Sequence, residues 1–485
     1  MKSGTNISVV LTDVCQLHRL AHLGDYVNLV EVRRDIFDFD LEEIKKVTGA
    51  DLLFSLKSED NGGFFRGSEA LRIREFREAS SVCDFFELEA GRDLIPEILD
   101  IIPPEKRIIS WRGNTENYEN LAKRYKKYQA VAARYYQLVI CAKKSGDEIP
   151  VLQLLKNNSR NDLIAYATGP AGLWTQPLSA FLGSQVVPSS LNGEVNINYF
   201  SPEQLIENYN LPYTYPVKLF FGIVGNPVFG SISPKLHNGA FRALNLPYLY
   251  LPFQTNTLQD FFDEVVNKDT LPIEFSGLTV VAPFKEAGLI TAGKTSDPDV
   301  TASEASNLML NRKRGGWVAK STDALGVIDA LDEMAADWKL KSIVIVGCGG
   351  TGKTVAAALK RMKAKLTLVN RTVDKGLKIA RALNLPFIPL DRFNPADFDV
   401  IIHATPLGKN KGEAPFDITL LKNDCIVIDH VYSLTDVTDL VKYCRLCNIP
   451  VADGVEMAEF QIKHQFRLMT SRKMILPQKR KPITK

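Results

Sequence analysis

SIVIVGCGGTGKTVAAALKRMKAKLTLVNRT, residues 342 to 372, is the stretch from which the fold is read. Ile343-Val344-Ile345-Val346 is short, apolar and β-branched, as a strand buried in a parallel sheet must be. Gly347, Gly349, Gly350 and Gly352 follow with Thr351 among them, and Thr354 to Leu359 continues as a helix pattern. A second apolar strand, Leu366 to Val369, returns about twenty residues later, completing a βαβ unit. Glycines let the backbone turn tightly and approach a pyrophosphate, whose charge rests on the N–H groups at the helix start. Strands that receive NAD usually end in an acid that accepts from the ribose 2′-hydroxyl. This one ends in Asn370-Arg371-Thr372, a cation between small polar groups, which suits a 2′-phosphate and predicts NADP.

Outward from that unit, 485 residues are too many for one core, so two or three domains are expected. A net charge of +3 is too small to point to nucleic acid, and no DNA-binding motif is visible. No run of about 18 apolar residues predicts a membrane span. The opening MKSGTNISVVLTDVCQL enters a strand pattern without a signal-peptide cleavage region. Seven scattered cysteines fit free thiols, so a cytoplasmic protein is expected, and a monomer. Cys444-x-x-Cys447 lies in a helix pattern without a second pair and reads as incidental spacing. His18 and His22 mimic a metal pair but read as a solvated helix face, and no metal is expected. The basic, proline-broken tail 472–485 reads as disordered.

Residues 1–212 alternate strand and helix patterns. Strands are predicted at Ile7–Leu11, Val27–Val32, Leu52–Leu56, Phe85–Leu88, Arg107–Trp111, Tyr136–Cys141, Leu163–Ala167 and Gln185–Val187. Helices lie between them, as at Arg66–Ser81, Arg92–Ile101 and Glu116–Gln129, which together predict a (β/α)8 barrel. Polar residues at the C-terminal strand ends are then the functional ones. Glu31 and Arg33 share a face there, and Lys57 ends the third strand.

This half resembles the type I 3-dehydroquinate dehydratases. Leu29-Val30-Glu31-Val32-Arg33 is similar to the family's strand that holds substrate hydroxyls. Lys57 and Asn61, before Gly62-Gly63, stand where the family has an arginine and a glutamate. Ile109-Ser110-Trp111-Arg112 resembles the segment ending in the catalytic histidine, and Tyr135-Tyr136-Gln137 the strand bearing the Schiff-base lysine. Gly169-Pro170-Ala171-Gly172 and Thr175-Gln176 occupy the place of the late glycine and serine-arginine motif. Such a reaction needs an amine that can lose its proton and a group that shuttles one near neutral pH. Gln137 does neither and Arg112 stays protonated, so an inactive barrel with Glu31 and Arg33 as remnants is expected. Lys143, six residues beyond Gln137, is the one rescue candidate.

After the turn-rich stretch Gly193–Pro216, a new α/β pattern begins near Leu219. Ser231 and Ser233 precede a helix that carries His237-Asn238 and could grip a carboxylate or merely cap it. Across about 265 residues the chain resembles the shikimate dehydrogenases. Ser231 to Asn238 is similar to the signature whose serines hold the shikimate carboxylate. Gly277 to Lys285 resembles the segment ending in the catalytic lysine, and Ser321-Thr322-Asp323 the catalytic aspartate motif. Asn307 stands at the substrate asparagine, Tyr432 near the substrate, Thr405 on the nicotinamide side, and Asn370-Arg371-Thr372 at the phosphate site. Gly454, Met457, Gln461 and Phe466 resemble the closing helix, whose glutamine binds the ring. The implied arrangement is a substrate-binding domain at 218–325 with helix 453–471, and a Rossmann NADP domain at 326–449.

Departures gather at the carboxylate end. Thr279-Val280-Val281 replaces asparagine-valine-threonine, so Val281 removes a hydroxyl, and His403 and Lys409 replace an asparagine and a methionine. His403 reads as a packed strand-end residue rather than a titrating group. Lys285 and Asp323 are expected to handle the alcohol proton while hydride moves to or from nicotinamide. Three readings follow: an NADP-dependent shikimate or quinate-type dehydrogenase fused to an inert barrel, a bifunctional enzyme, or a ligand sensor. Retention of Lys285, Asp323, Asn307, Gln461 and the glycine loop favours the first over the third.

Overall fold

The computed structural model describes residues 5–476 apart from 22, 24, 25, 39, 159, 192–197, 269, 270, 272 and 433–435. His22 and most of the tail therefore lie outside the described residues. Two compact units are present, one of residues 1–220, 234–274 and 476–485, the other of 221–233 and 275–475.

The first unit holds β1 (Asn6–Leu11), β2 (Val27–Arg33), β3 (Asp51–Ser55), β4 (Phe85–Glu89), β5 (Arg107–Asn114), β6 (Tyr135–Cys141), β7 (Leu163–Thr168) and β8 (Val186–Ser190). They run parallel in the hydrogen-bonded order β7-β6-β5-β4-β3-β2-β1-β8, which gives the expected α/β barrel architecture. Local chemistry sets its helices. Ser68 accepts from the Leu71 N–H to start Glu69–Ala79, and Asn117 caps Tyr118–Tyr128 in the same way. The helix predicted over Arg92–Ile101 shrinks to Pro96–Leu99. Pro96 has no N–H to give an earlier turn, and it forces Ile95 into extended backbone. β8 runs further than predicted, through Pro188, which an end strand of the ladder tolerates because among the described residues β8 pairs with β1 alone.

Residues 234–274, which the sequence reading assigns to the substrate-binding domain, are compact with the barrel residues. Within that unit Trp174 meets Phe253 edge-on at 5.0 Å, and the Ser145 and Thr255 hydroxyls lie 2.8 Å apart.

In the second unit, after β9 (Leu219–Gly225) and the first unit's β10 (Tyr248–Gln254), β11 (Phe275–Val280) pairs antiparallel with β12 (Leu308–Asn311). β12 pairs likewise with β13 (Trp317–Lys320). A parallel sheet follows, built from β14 (Ser342–Val346), β15 (Lys365–Asn370), β16 (Phe387–Pro389), β17 (Val400–His403), β18 (Ile426–Asp429) and β19 (Val451–Ala452). Its order is β16-β15-β14-β17-β18-β19. Alternation along β14 fills two cores: Ile343 and Ile345 join Trp338, Val355 and Leu359, while Val344 and Val346 join Leu440 and Cys444. Strand order reverses at β14, so the crevice at its C-terminal end, where such folds bind ligands, is the glycine loop. Among the described residues no helix is long and apolar enough to cross a membrane.

Candidate active site

Helix Lys285–Ala292 begins at Lys285, just past the Ala282-Pro283-Phe284 turn that follows β11. Its Nζ donates to Asp323 Oδ2 at 2.6 Å and to Thr351 Oγ1 at 2.7 Å. An ammonium has three donors, so one is left for a ligand oxygen. Asp323 opens helix Asp323–Met334 and is 1% exposed, a burial that demands partners. Asn307 Nδ2 supplies one, donating to Asp323 Oδ1 at 2.9 Å. Asn307 is itself fixed by the Thr322 backbone N–H, which donates to its Oδ1 at 2.8 Å. Behind them Gln465 Nε2 donates to Thr322 Oγ1 at 3.3 Å, and Thr279 Oγ1 to Gln465 Oε1 at 3.1 Å. Gln465 escaped the sequence reading. Its signal was its place four residues past Gln461, on the same face of helix Gly454–Thr470.

The serine loop is ordered from outside. Ser231 Oγ accepts from the Ser233 N–H at 3.1 Å. Tyr432 OH accepts from the Ile232 N–H at 3.0 Å and donates to Gly230 O at 3.3 Å. Tyr432 therefore holds the serine loop through the backbone of Gly230 and Ile232, the neighbours of Ser231. Gln461 is half-buried over helix Asp323–Met334, where a Cβ on Gly326 would lie 2.9 Å from its Cγ.

The glycine loop fits a dinucleotide. Gly347 has φ +114°, in the left-handed region, and a Cβ there would lie 2.7 Å from Ala404 O. A Cβ on Gly352 would lie 1.9 Å from Gly347 O, so the helix start closes tightly on the strand end. Gly349 caps helix Gly350–Arg361 without a side-chain bond, so no side chain competes with a phosphate there. Asn370 Oδ1 accepts from the Cys348 N–H at 3.0 Å, tying the loop to the tip of β15, beyond which Arg371 and Thr372 are exposed. Gly454 has a packing cause, since a Cβ there would lie 2.2 Å from Val431 O.

His403 is a packed residue. Its Nδ1 pairs with Asp429 Oδ1 at 2.9 Å and its Nε2 with Thr405 Oγ1, and it is 0% exposed. Burial raises the Asp429 carboxyl, but His403, Thr438 and the Val431 N–H outweigh it and hold it below its usual range. His430 beside it has a buried Nε2 without a partner, and burial pushes its imidazole down to about 4, so it is neutral at working pH. Among the described residues no group of three or more His, Cys, Asp or Glu could hold a metal ion, and Cys444 and Cys447 are unpaired.

The barrel mouth carries a second lysine. Lys57, directly after β3, donates from Nζ to Glu31 and lies 3.3 Å from Glu87 Oε2. Glu87 Oε1 also accepts from Arg112 Nη2 at 3.1 Å and from Gln137 Nε2 at 3.3 Å. Burial pushes the Glu87 carboxyl up, but Lys57 and Arg112 together hold it well below its usual range. Arg33 pairs with Asp35 through two bonds, at 2.7 and 2.9 Å, rather than with the Glu31 cluster. Lys143 is exposed and stands outside the cluster. Glu87 was missed; an acid inside the apolar run Phe85-Phe86-Glu87-Leu88 was the signal available.

Three family models match: type I 3-dehydroquinase over residues 6–216, the shikimate dehydrogenase substrate binding domain over 223–309, and shikimate/quinate 5-dehydrogenase over 330–410. The chloroplastic bifunctional 3-dehydroquinate dehydratase/shikimate dehydrogenase of Arabidopsis thaliana is 26% identical over 500 residues, covering 96% of this chain and 80% of that one. The shikimate dehydrogenase (NADP(+)) of Thermococcus kodakarensis is 34% identical over 254 residues, 52% of this chain and 90% of its own. A solved dehydroquinate dehydratase and shikimate dehydrogenase from S. pombe is 19% identical and covers 98% of this chain and 97% of its own, with a TM-score of 0.44.

Proposed function

Because the chain belongs to the shikimate dehydrogenase family, its dehydrogenase half fused to a type I 3-dehydroquinase domain, we propose that it interconverts 3-dehydroshikimate and shikimate with NADP. The observation that carries this is the Lys285–Asp323–Asn307 constellation, joined through Thr351 to the glycine loop. NADPH supplies the hydride when bound. Lys285 gives its remaining N–H proton to the carbonyl oxygen as that carbon is reduced, and takes it back in the reverse direction. Asp323 keeps the lysine aimed, and Asn307 keeps Asp323 aimed. Ser231 and Ser233 hold the carboxylate, with Tyr432 fixing their loop and Gln461 facing the ring. Gly347, Gly349, Gly350, Thr351 and Gly352 cradle the pyrophosphate, Arg371 with Asn370 and Thr372 meets the 2′-phosphate, and Thr405 and Gly454 border the nicotinamide. The working domains are 218–325 with 453–471 for substrate and 326–449 for NADP.

The test is oxidation of NADPH by the full chain with 3-dehydroshikimate, repeated with NADH and with Arg371→Ala. NADPH should be preferred, and the variant should lose about tenfold of that preference, the worth of one good phosphate contact. Equal efficiency with both cofactors in the unmodified chain would refute the cofactor assignment. Turnover only of a quinate-type acid would refute the substrate.

The barrel match and a relative whose bifunctional name covers both halves support dehydratase work at 1–212, in preference to the inert barrel suggested by Gln137 and Arg112 alone. The amine such work needs would be Lys57, the one buried lysine among the described residues of that barrel. Its Nζ contacts Glu31 and Glu87, and the amine must lose its proton before attack. Borohydride added during incubation of the full chain with dehydroquinate should trap a reduced adduct on Lys57. Enone formation with no adduct on any lysine would remove the amine mechanism, and absence of both would restore the inert barrel.

A further inference from the structure

Lys285 is gripped from two sides, and only one of them belongs to the proton-handling pair. Opposite Asp323 stands Thr351, in the first turn of the glycine-loop helix, whose Oγ1 accepts from Lys285 Nζ at 2.7 Å. The rest of that helix lies along the same wall. A Cβ on Gly350 would lie 3.3 Å from the Lys285 stem. Lys353 Nζ donates to Glu286 Oε1 at 2.6 Å, Thr354 Oγ1 and Ser303 Oγ lie 3.0 Å apart, and Arg361 clasps Asp299 at 2.9 and 3.1 Å. Lys353 is itself buried, while its partner Glu286 is largely exposed. The loop that would hold the dinucleotide is thus fastened to the helix that starts with the proton donor.

A lysine side chain is long and rotamer-rich, and a single carboxylate contact leaves its head free to swing about that contact. Two acceptors on one Nζ fix the direction of the third N–H. We infer that Thr351 is a positioning residue for the reaction: its hydroxyl, separately from the part its backbone plays at the pyrophosphate, sets where the Lys285 ammonium points. The inference rests on Lys285 being the proton donor. It also makes an ordered glycine loop a condition for an aimed lysine, because one residue serves both.

The experiment compares Thr351→Val, which keeps shape and loses the acceptor, with Thr351→Ser, which keeps the acceptor. Measured in the full chain are kcat, KM for 3-dehydroshikimate and for NADPH, and the primary isotope effect with NADPH deuterated at the transferred position. Thr351→Val should lower kcat about tenfold with both KM values within about twofold, and with an isotope effect at least as large as in the unmodified chain. Thr351→Ser should return kcat to within about twofold. In a Lys285→Ala background Thr351→Val should cost nothing further, since the two act as a unit. A raised KM for NADPH at unchanged kcat, a smaller isotope effect, or no rescue by serine would overturn the inference. Should the valine variant not fold, Thr351→Ala is read by the same criteria. Full activity in Lys285→Ala alone would instead bring down the proton-donor assignment, whatever Thr351 does.

Discussion

Two lysines in this molecule end up against carboxylates, and their surroundings separate them. Lys285 faces one carboxylate and one hydroxyl, and its side chain keeps 18% exposure. Lys57 faces two carboxylates and keeps 5%. Around Lys57 the charges close on themselves: Glu31 and Glu87 answer Lys57 and Arg112, with Gln137 taking a further place on Glu87. Arg112 Nε is the one nitrogen of that cluster buried without a partner, and the lysine amine must lose a proton before it can attack anything. Each Nζ thus has two partners and one donor to spare, and what separates them is depth and charge: Lys285 meets one carboxylate and a hydroxyl near solvent, Lys57 two carboxylates in the buried barrel.

Removing each lysine should break this contrast in opposite ways. Lys57→Met leaves Glu31 and Glu87 facing without the ammonium between them. It should destabilise the chain by about 3–5 kcal/mol in urea unfolding while hardly changing NADPH oxidation per folded molecule. Lys285→Ala or Asp323→Ala should lower dehydrogenase turnover per folded molecule by about 10²-fold or more. Folded variants that kept nearly full turnover would mean the proton-handling pair lies elsewhere.

Glu148 sharpens the comparison from the side of the acid. Glu87, with two cations on it, is held low, whereas Glu148 has only the Trp174 and Gly146 N–H groups, and burial pushes its carboxyl up to about 8. A folded value raised above the unfolded one favours the protonated native state. Its stabilisation is full below the unfolded value near 4.5 and is lost as pH rises through 8. Glu148→Gln should therefore melt higher than the unmodified chain at pH 8, with the gap closing toward pH 5. A gap independent of pH would show that Glu148 is ionised in the native barrel.

Where the chemistry is local, the chain discloses it. Gly347 to Gly352, Asn370 and the helix-starting Lys285 and Asp323 are placed by short-range turns and caps, so their motifs can be read in order. All eight barrel strands are legible for the same reason, each being an apolar run between breakers. The Lys57 cluster is not. Its members come from five neighbouring strands, β2 to β6, that register alone aligns, pairing Glu31 with Leu53, Ser55 with Glu87 and Ser110 with Gln137. Nothing near Lys57 in the sequence announces Glu87. Gln465 offered only its spacing from Gln461, because a glutamine on a helix is ordinary until Thr279 and Thr322 arrive on it from elsewhere. The packing of 234–274 with the barrel residues is also a long-range outcome, made by contacts such as Trp174 on Phe253 that no motif encodes.

The smallest expected effect concerns substrate fit. Val281 follows β11, half-buried, with its N–H donating to Val224 O at 3.0 Å and its O accepting from the Phe284 N–H at 2.9 Å. One methyl faces Gly225, where a Cβ would lie 2.3 Å from Val281 Cγ2, so that branch has no room for a polar atom seeking partners. The nearby threonine, Thr279, is spent on Gln465 and brings no hydroxyl to replace the missing one. Val281→Thr keeps the shape, and its rotamer can leave the methyl on Gly225 while the hydroxyl takes the other branch. A hydroxyl placed there gains a carboxylate oxygen as partner, a charge-assisted bond worth about 1 kcal/mol or a little more. KM for shikimate should then fall about fivefold, with kcat nearly constant because the contact is made equally in ground and transition states. An unchanged or raised KM would mean that the pocket near Ser231 and Ser233 has been reshaped for an acid whose carboxylate does not reach residue 281.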